Sequence, residues 1–216
     1  MCYTLQTSIN AFIINVISSI YLYYSAFRYN KIPIIMASEL KVIAIFLLFV
    51  GGMQFWDAIF WSTKETSTLN IFATKAAMIW NHLEPIVLAL SIIYILNKRL
   101  PQLSKTILTL YTIGIILYTV NGWSTLTGTG KTPDSKDSLY WEWNNFSGAQ
   151  FIYFLFLICL VILFYENFTG WIKWTSIILT LTSFFFSVYK YNIVESSGRF
   201  WCYFVAFAPL IYLGMM

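Results

Sequence analysis

Charge is scarce in this chain. Charged residues occupy 10% of 216 positions, histidine occurs once, cysteine three times and proline five times. Each scarcity excludes something. A single histidine leaves no multi-histidine zinc site. Cys2, Cys159 and Cys202 give no even disulfide framework, and the two that fall in apolar stretches act as small apolar side chains. A formal charge of +4 is too modest to mark a nucleic-acid surface. At this length nothing remains for a second, soluble domain beside the apolar segments.

What is present is apolar. Hydrophobic residues make up 59% of the chain and aromatic ones 20%. About 20 apolar residues suffice to cross about 30 Å of hydrocarbon, and seven segments meet that condition: Ser8–Phe27, Lys41–Trp61, Ile71–Leu96, Leu103–Asn121, Ala149–Tyr165, Trp171–Lys190 and Glu195–Met216. The first lacks a basic leader and a small-residue cleavage site, so it reads as a helix and not a signal peptide. Trp and Tyr gather at segment ends, among them Tyr21, Tyr24, Trp61, Trp141, Trp143, Trp171 and Trp174, as in an interfacial belt. The expected fold class is therefore all-α: residues 1–216 as one seven-transmembrane-helix bundle in a lipid bilayer.

Seven spans place the termini on opposite sides. Arg28, Lys31, Lys41, Lys98, Arg99, Lys105 and Lys173 share one side in short connections, and the long connection Gly122–Gly148 with Asp134, Asp137 and Glu142 lies on the other. The short basic loops point to the cytosol, which puts the N-terminus outside and the C-terminus inside. The sequons at Asn145 and Asn167 fall on opposite faces of this arrangement and do not settle it.

Acids inside such segments are costly and mark candidate sites. Asp57 lies about five residues before the end of the second span and Lys75 about four after the start of the third, at nearly equal depth for a rise of 1.5 Å per residue. An Asp57–Lys75 ion pair between helices 2 and 3 is expected, with Arg199 at the mouth of helix 7 competing for Asp57. Gln54 precedes Asp57 by one turn, and Asn81 precedes Glu84 by one turn. Glu84 falls near mid-bilayer, and Pro85 behind it removes the N–H that would bond the Asn81 carbonyl. Such backbone is tolerated only within protein or beside a water cavity. Glu84, Asn81 and Gln54 are thus candidate ion or solute ligands, and Asp57, Lys75 and Arg199 a candidate gate. The plainer readings are a structural ion pair, amides that hydrogen-bond helices together, and a neutral packed histidine at His82.

Other signals fail. Gly128-Thr-Gly-Lys-Thr132 mimics a phosphate loop, but Thr125 stands where its first glycine belongs. The surrounding segment, with Trp123, Tyr140, Trp141, Trp143 and Phe146, reads as a lid at the outer interface. Lys75 and Pro85 repeat the spacing of Arg199 and Pro209, a match too thin to establish a duplicated half. The last segment contains no lysine, which excludes a microbial-rhodopsin type of retinal linkage.

Met1-Cys2, Met53–Trp61, Asn81–Ile86 and Gly198–Cys202 together resemble an uncharacterised multi-spanning membrane protein family of large DNA viruses and protists. The resemblance covers most of the chain, implies a small multi-helix membrane protein and supplies no reaction. Arg199 departs from it, at a position where the family carries a small residue. The reading reached is an integral membrane protein, foremost a channel or transporter for a small ion or polar solute. The alternative is a receptor-like or structural membrane protein without transport. No catalytic residue, metal or cofactor is expected, and no nucleophile–base pair argues for an enzyme.

Overall fold

A computed structural model describes residues 4–28, 33–131, 139–191 and 199–216. The protein is all-α. Its helices are α1 (Leu5–Arg28), α2 (Ile34–Gly51), α3 (Met53–Ser62), α4 (Thr68–His82), α5 (Glu84–Ile95), α6 (Gln102–Gly122), α7 (Ala149–Asn167), α8 (Gly170–Tyr191) and α9 (Arg199–Met215). A two-residue hairpin pairs β1 (Gly130–Lys131) with β2 (Leu139–Tyr140) in the connection between α6 and α7.

Among the described residues, four helices are long and apolar enough to cross a membrane: α1, α2 continued through α3 (Ile34–Ser62), α6 and α7. The pair α4 and α5, bent by 48°, makes a fifth if counted as one. The segments expected as sixth and seventh spans form α8, of 22 residues, and α9, a shorter apolar helix of 17. The second segment also begins earlier than expected, at Ile34, because Pro33 sits at the N-cap. Lys41 was expected at the cytosolic edge of this segment. Glu39 is fully buried and accepts from the backbone and hydroxyl of Thr169 at 3.1 Å, while the Lys41 ammonium lies 3.3 Å from the centre of the Phe27 ring.

Side-chain bonds fix which helix ends lie together. Asn70 at the start of α4 bonds Thr129 beyond the end of α6. At the opposite end, Glu166 of α7 accepts from the Ser104 backbone at 2.9 Å and from its hydroxyl at 2.6 Å, closing the first turn of α6. Successive helices therefore run up and down between a loop end and an opposite end.

The distribution of polarity is reversed relative to a water-soluble bundle. Large apolar side chains such as Ile17, Tyr94, Leu117, Val120 and Phe154 are exposed, whereas Glu39, Gln54, Asp57, Asn81, His82 and Glu84 are buried. Helices apolar on their outer faces belong in an apolar surrounding.

Three helical interruptions shape the interior. At each, a main-chain carbonyl receives a donor from another helix. Between α2 and α3, Phe49 O accepts from the Trp80 indole at 2.8 Å. Between α4 and α5, where Pro85 follows Glu84, His82 O accepts from the Tyr111 hydroxyl at 2.8 Å. Within α9, Pro209 cannot bond Val205 O; Asn15 of α1 reaches that oxygen at 3.4 Å, and Leu47 O of α2 at 3.2 Å. The Gly51-Gly52 pair permits these approaches. A Cβ on Gly51 would lie 2.1 Å from the Asn15 amide, and one on Gly52 would lie 2.8 Å from the Trp80 ring.

Replacing Asn15 by Ala leaves those carbonyls without the amide and is expected to cost about 1–3 kcal/mol. Adding Pro209→Ala returns an N–H to α9 and should recover part of the loss. Thermal unfolding of the purified single and double variants measures this coupling.

Candidate functional site

The polar interior forms two layers. The loop-end layer begins with Asn70, placed by the Ser67 N-cap of α4. Its Nδ2 donates to Thr129 O at 3.0 Å and its Oδ1 accepts from Thr129 N at 2.8 Å. The Thr74 and Thr129 hydroxyls meet at 3.0 Å. The Glu142 carboxyl accepts from Thr127 N at 2.6 Å, the Thr127 hydroxyl at 2.7 Å and Gly128 N at 2.9 Å. Gly128 has φ +141°, and a Cβ there would lie 2.0 Å from Glu65 O; glycine is the residue that adopts this backbone at no steric cost.

So anchored, the connection enters the bundle instead of lying on its surface. Trp141 and Trp143 are buried, with rings 5.1 Å apart and nearly parallel. The Trp141 indole donates to Asp57 Oδ1 at 3.1 Å.

The central layer is organised by Tyr153 of α7. Its hydroxyl donates to Asn144 Oδ1 at 2.7 Å and accepts from the Trp143 indole at 3.2 Å and from Asn81 Nδ2 at 3.3 Å. The Tyr118 hydroxyl donates to Trp143 O. Consecutive residues of α9 then reach the α4–α5 break: the Trp201 indole donates to Glu84 Oε2 at 2.6 Å, and the Cys202 thiol approaches Asn81 Oδ1 at 4.0 Å. Glu84 is fully buried, and its Oε1 has no hydrogen-bond partner. Asn81, Tyr153, Thr180 and Trp201 help line a cavity of about 10 Å³, barely the space of one water molecule.

Of the residues singled out from sequence, Glu84 and Asn81 come together through Trp201 and Cys202. Asp57 and Gln54 share the buried face of α3, with Asp57 in the loop-end layer. The expected Asp57–Lys75 ion pair is not formed. Lys75 instead lies 5.1 Å from the centre of the Trp123 ring, a cation–π arrangement, and the loop tryptophan Trp141 takes the place beside Asp57. Arg199 opens α9 but lies outside the residues whose side chains are described. The Asn167 sequon is engaged in structure: its side chain is buried and donates to Leu163 O at 2.9 Å. Asn145 is exposed. Among the described residues no cluster of metal-ligating side chains occurs.

Sequence reasoning missed Trp141, Trp143, Tyr153 and Trp201 as members of the site. Tryptophans near segment ends had been assigned to a membrane interface. The available signal was the Trp–Glu–Trp–Asn run of residues 141–144, which places two indole donors two residues apart beside an amide. Compared with protein-family models, curated proteins and solved structures, the chain matches none.

Trp141→Phe keeps the ring and removes the donor to Asp57, and should cost about 1–3 kcal/mol. Lys75→Ala should cost about 0.5–1 kcal/mol, the worth of an exposed cation–π contact. In a thermal-unfolding double-mutant cycle, Trp141→Phe and Asp57→Asn should be strongly non-additive and Lys75→Ala with Asp57→Asn additive.

Proposed function

We propose that the protein is a multi-pass integral membrane protein that conducts or carries a small ion or polar solute, with the loop end outside, and that the arrangement described here is its closed state. The observation that carries this reading is Glu84. It is a carboxyl group inside an apolar bundle, with one oxygen held by Trp201 and the other without a partner. An acid at that depth is a functional candidate by default because it is costly to keep there. Interrupted helices around it support the reading, since unwound backbone in the middle of a bundle is a recurrent feature of transporters. In this proposal Glu84 is the proton- or cation-responsive group, Asn81 and Gln54 contact the solute, and the Trp141–Asp57 contact is part of the outer closure. Membership of the viral and protist family belongs to the same proposal and adds no reaction to it.

A second reading has its own support. The described part of the central layer encloses space for about one water molecule, and its amides and indoles bond one another. That pattern also suits a receptor-like or structural membrane protein whose polar groups only fasten helices together.

Flux in proteoliposomes distinguishes the two. On the transport reading, the wild-type protein dissipates a gradient of H⁺, Na⁺, K⁺ or Cl⁻, and Glu84→Gln abolishes that flux with the melting temperature retained. No flux of any of the four, together with a loss of stability in Glu84→Gln, would establish the fastening reading instead.

A further inference from the structure

A trough runs along the outer side of α1 and α2. Its wider part, about 470 Å³, lies at the Gly51-Gly52 break, between Phe12 and Val16 of α1 and Phe55 and Trp56 of α3. A second part of about 300 Å³ continues between Ile20, Tyr23 and Tyr24 of α1 and Ala44 of α2. Both parts share Ile45 and Leu48, and the α1 residues recur at the spacing of one helix face. Ile20, Tyr24 and Phe55 are exposed, so the trough opens sideways, toward lipid in a membrane. The Phe12 and Phe55 rings meet at 5.9 Å at one end, and the stacked Phe49 and Trp80 rings, 4.4 Å apart, line the wall. Polar groups are withdrawn from it: the Trp80 indole donates to Phe49 O, and Ser19 is buried.

The other end of the trough is basic. The Tyr23 and Phe27 rings meet at 5.7 Å, and the Lys41 ammonium lies over Phe27. Lys41 stands one turn before Ile45 on α2, and Arg28 one turn beyond Tyr24 on α1, where it is exposed. A ring face attracts an ammonium without neutralising it. Glu39, the acid nearest Lys41 along the chain, is fully buried and bonded to Thr169. Among the described residues the Lys41 ammonium is therefore left without a carboxylate in contact. From Lys41 to Gly52 the helix rises about 16 Å, close to half of the roughly 30 Å of a bilayer's hydrocarbon core. The trough thus has the depth of one leaflet, a basic end at the level of the headgroups and an apolar end near the midplane.

We propose that this trough holds one anionic phospholipid, its phosphate against Lys41 and Arg28 and one acyl chain lying along Ile20, Ile45 and Leu48 to the Gly51-Gly52 break. The apolar length selects a lipid over a soluble phosphate. The two bases select an anionic headgroup over a zwitterionic one, and Tyr24 sits at the depth where amphipathic rings favour the interface. The site rests on the protein's being embedded in a bilayer and is independent of Glu84 and of transport.

The test uses the full chain in phosphatidylcholine nanodiscs with two photoprobes, a phosphatidylglycerol and a phosphatidylcholine that carry the same diazirine-bearing acyl chain. At equal mole fraction the phosphatidylglycerol probe should label residues 12–24 and 44–56 about 25-fold more strongly, about fivefold for each of two bases, and unlabelled phosphatidylglycerol should compete. Lys41→Gln and Arg28→Gln should each lower that ratio about fivefold, and raised salt should lower it too. Lys105→Gln, at the same end of the bundle but on α6, which does not line the trough, should leave it unchanged. Equal labelling by the two probes in the wild type would overturn the proposal, and this comparison stands even if Lys41→Gln fails to fold. A preference that Lys105→Gln lowers as much as Lys41→Gln would overturn it as well, by showing a diffuse basic rim and no site. A chain that fails to enter the discs would overturn the membrane reading itself and this proposal with it.

Discussion

In an apolar surrounding, a main-chain carbonyl that loses its helical partner has no water to turn to, and the cost of leaving it bare is several kcal/mol. This constraint organises the bundle. The chain interrupts its helices at Gly51-Gly52, at His82–Pro85 and at Pro209, and answers each interruption with a donor from another helix: Trp80, Tyr111 and Asn15. Those bonds are directional, so they fix the rotation and height of the helices that contribute them. Apolar contacts alone do not discriminate between such positions.

The two polar layers follow from the same demand. Once α4 breaks beside Asn81 and Glu84, their side chains require partners, and α7 and α9 supply Tyr153, Trp201 and Cys202. Indoles are well suited to this, because each buries a large apolar surface and carries a single donor. Trp141 and Trp143, stacked side by side, serve one layer each: Trp141 reaches Asp57 and Trp143 reaches Tyr153. The connection between α6 and α7 is thereby a structural component of the interior.

Much of the helical fold was legible in the sequence because long apolar runs are unambiguous. The extents of α1, α6 and α7 follow the expected segments closely. The bend at Pro85 was legible too, since proline's missing N–H acts locally. Pairings between distant elements were not. Depth alone placed Lys75 beside Asp57, but depth does not specify rotation about the helix axis, and Lys75 turned to Trp123. Glu39 and Glu166 were not singled out from the sequence, yet each bonds the start of another helix or its flanking turn. Such long-range partners leave no periodic trace. Asn15 shows this most clearly: one amide in an apolar helix, with its partners on α2 and α9.

Asn15 also bears on how the chain is made. It sits on α1 and meets the Leu47 carbonyl 32 residues away on α2 as well as the Val205 carbonyl on α9. The nearer of the two partners lets α1 and α2 join as a pair first, and the second then gives α9 a single place to dock against that pair.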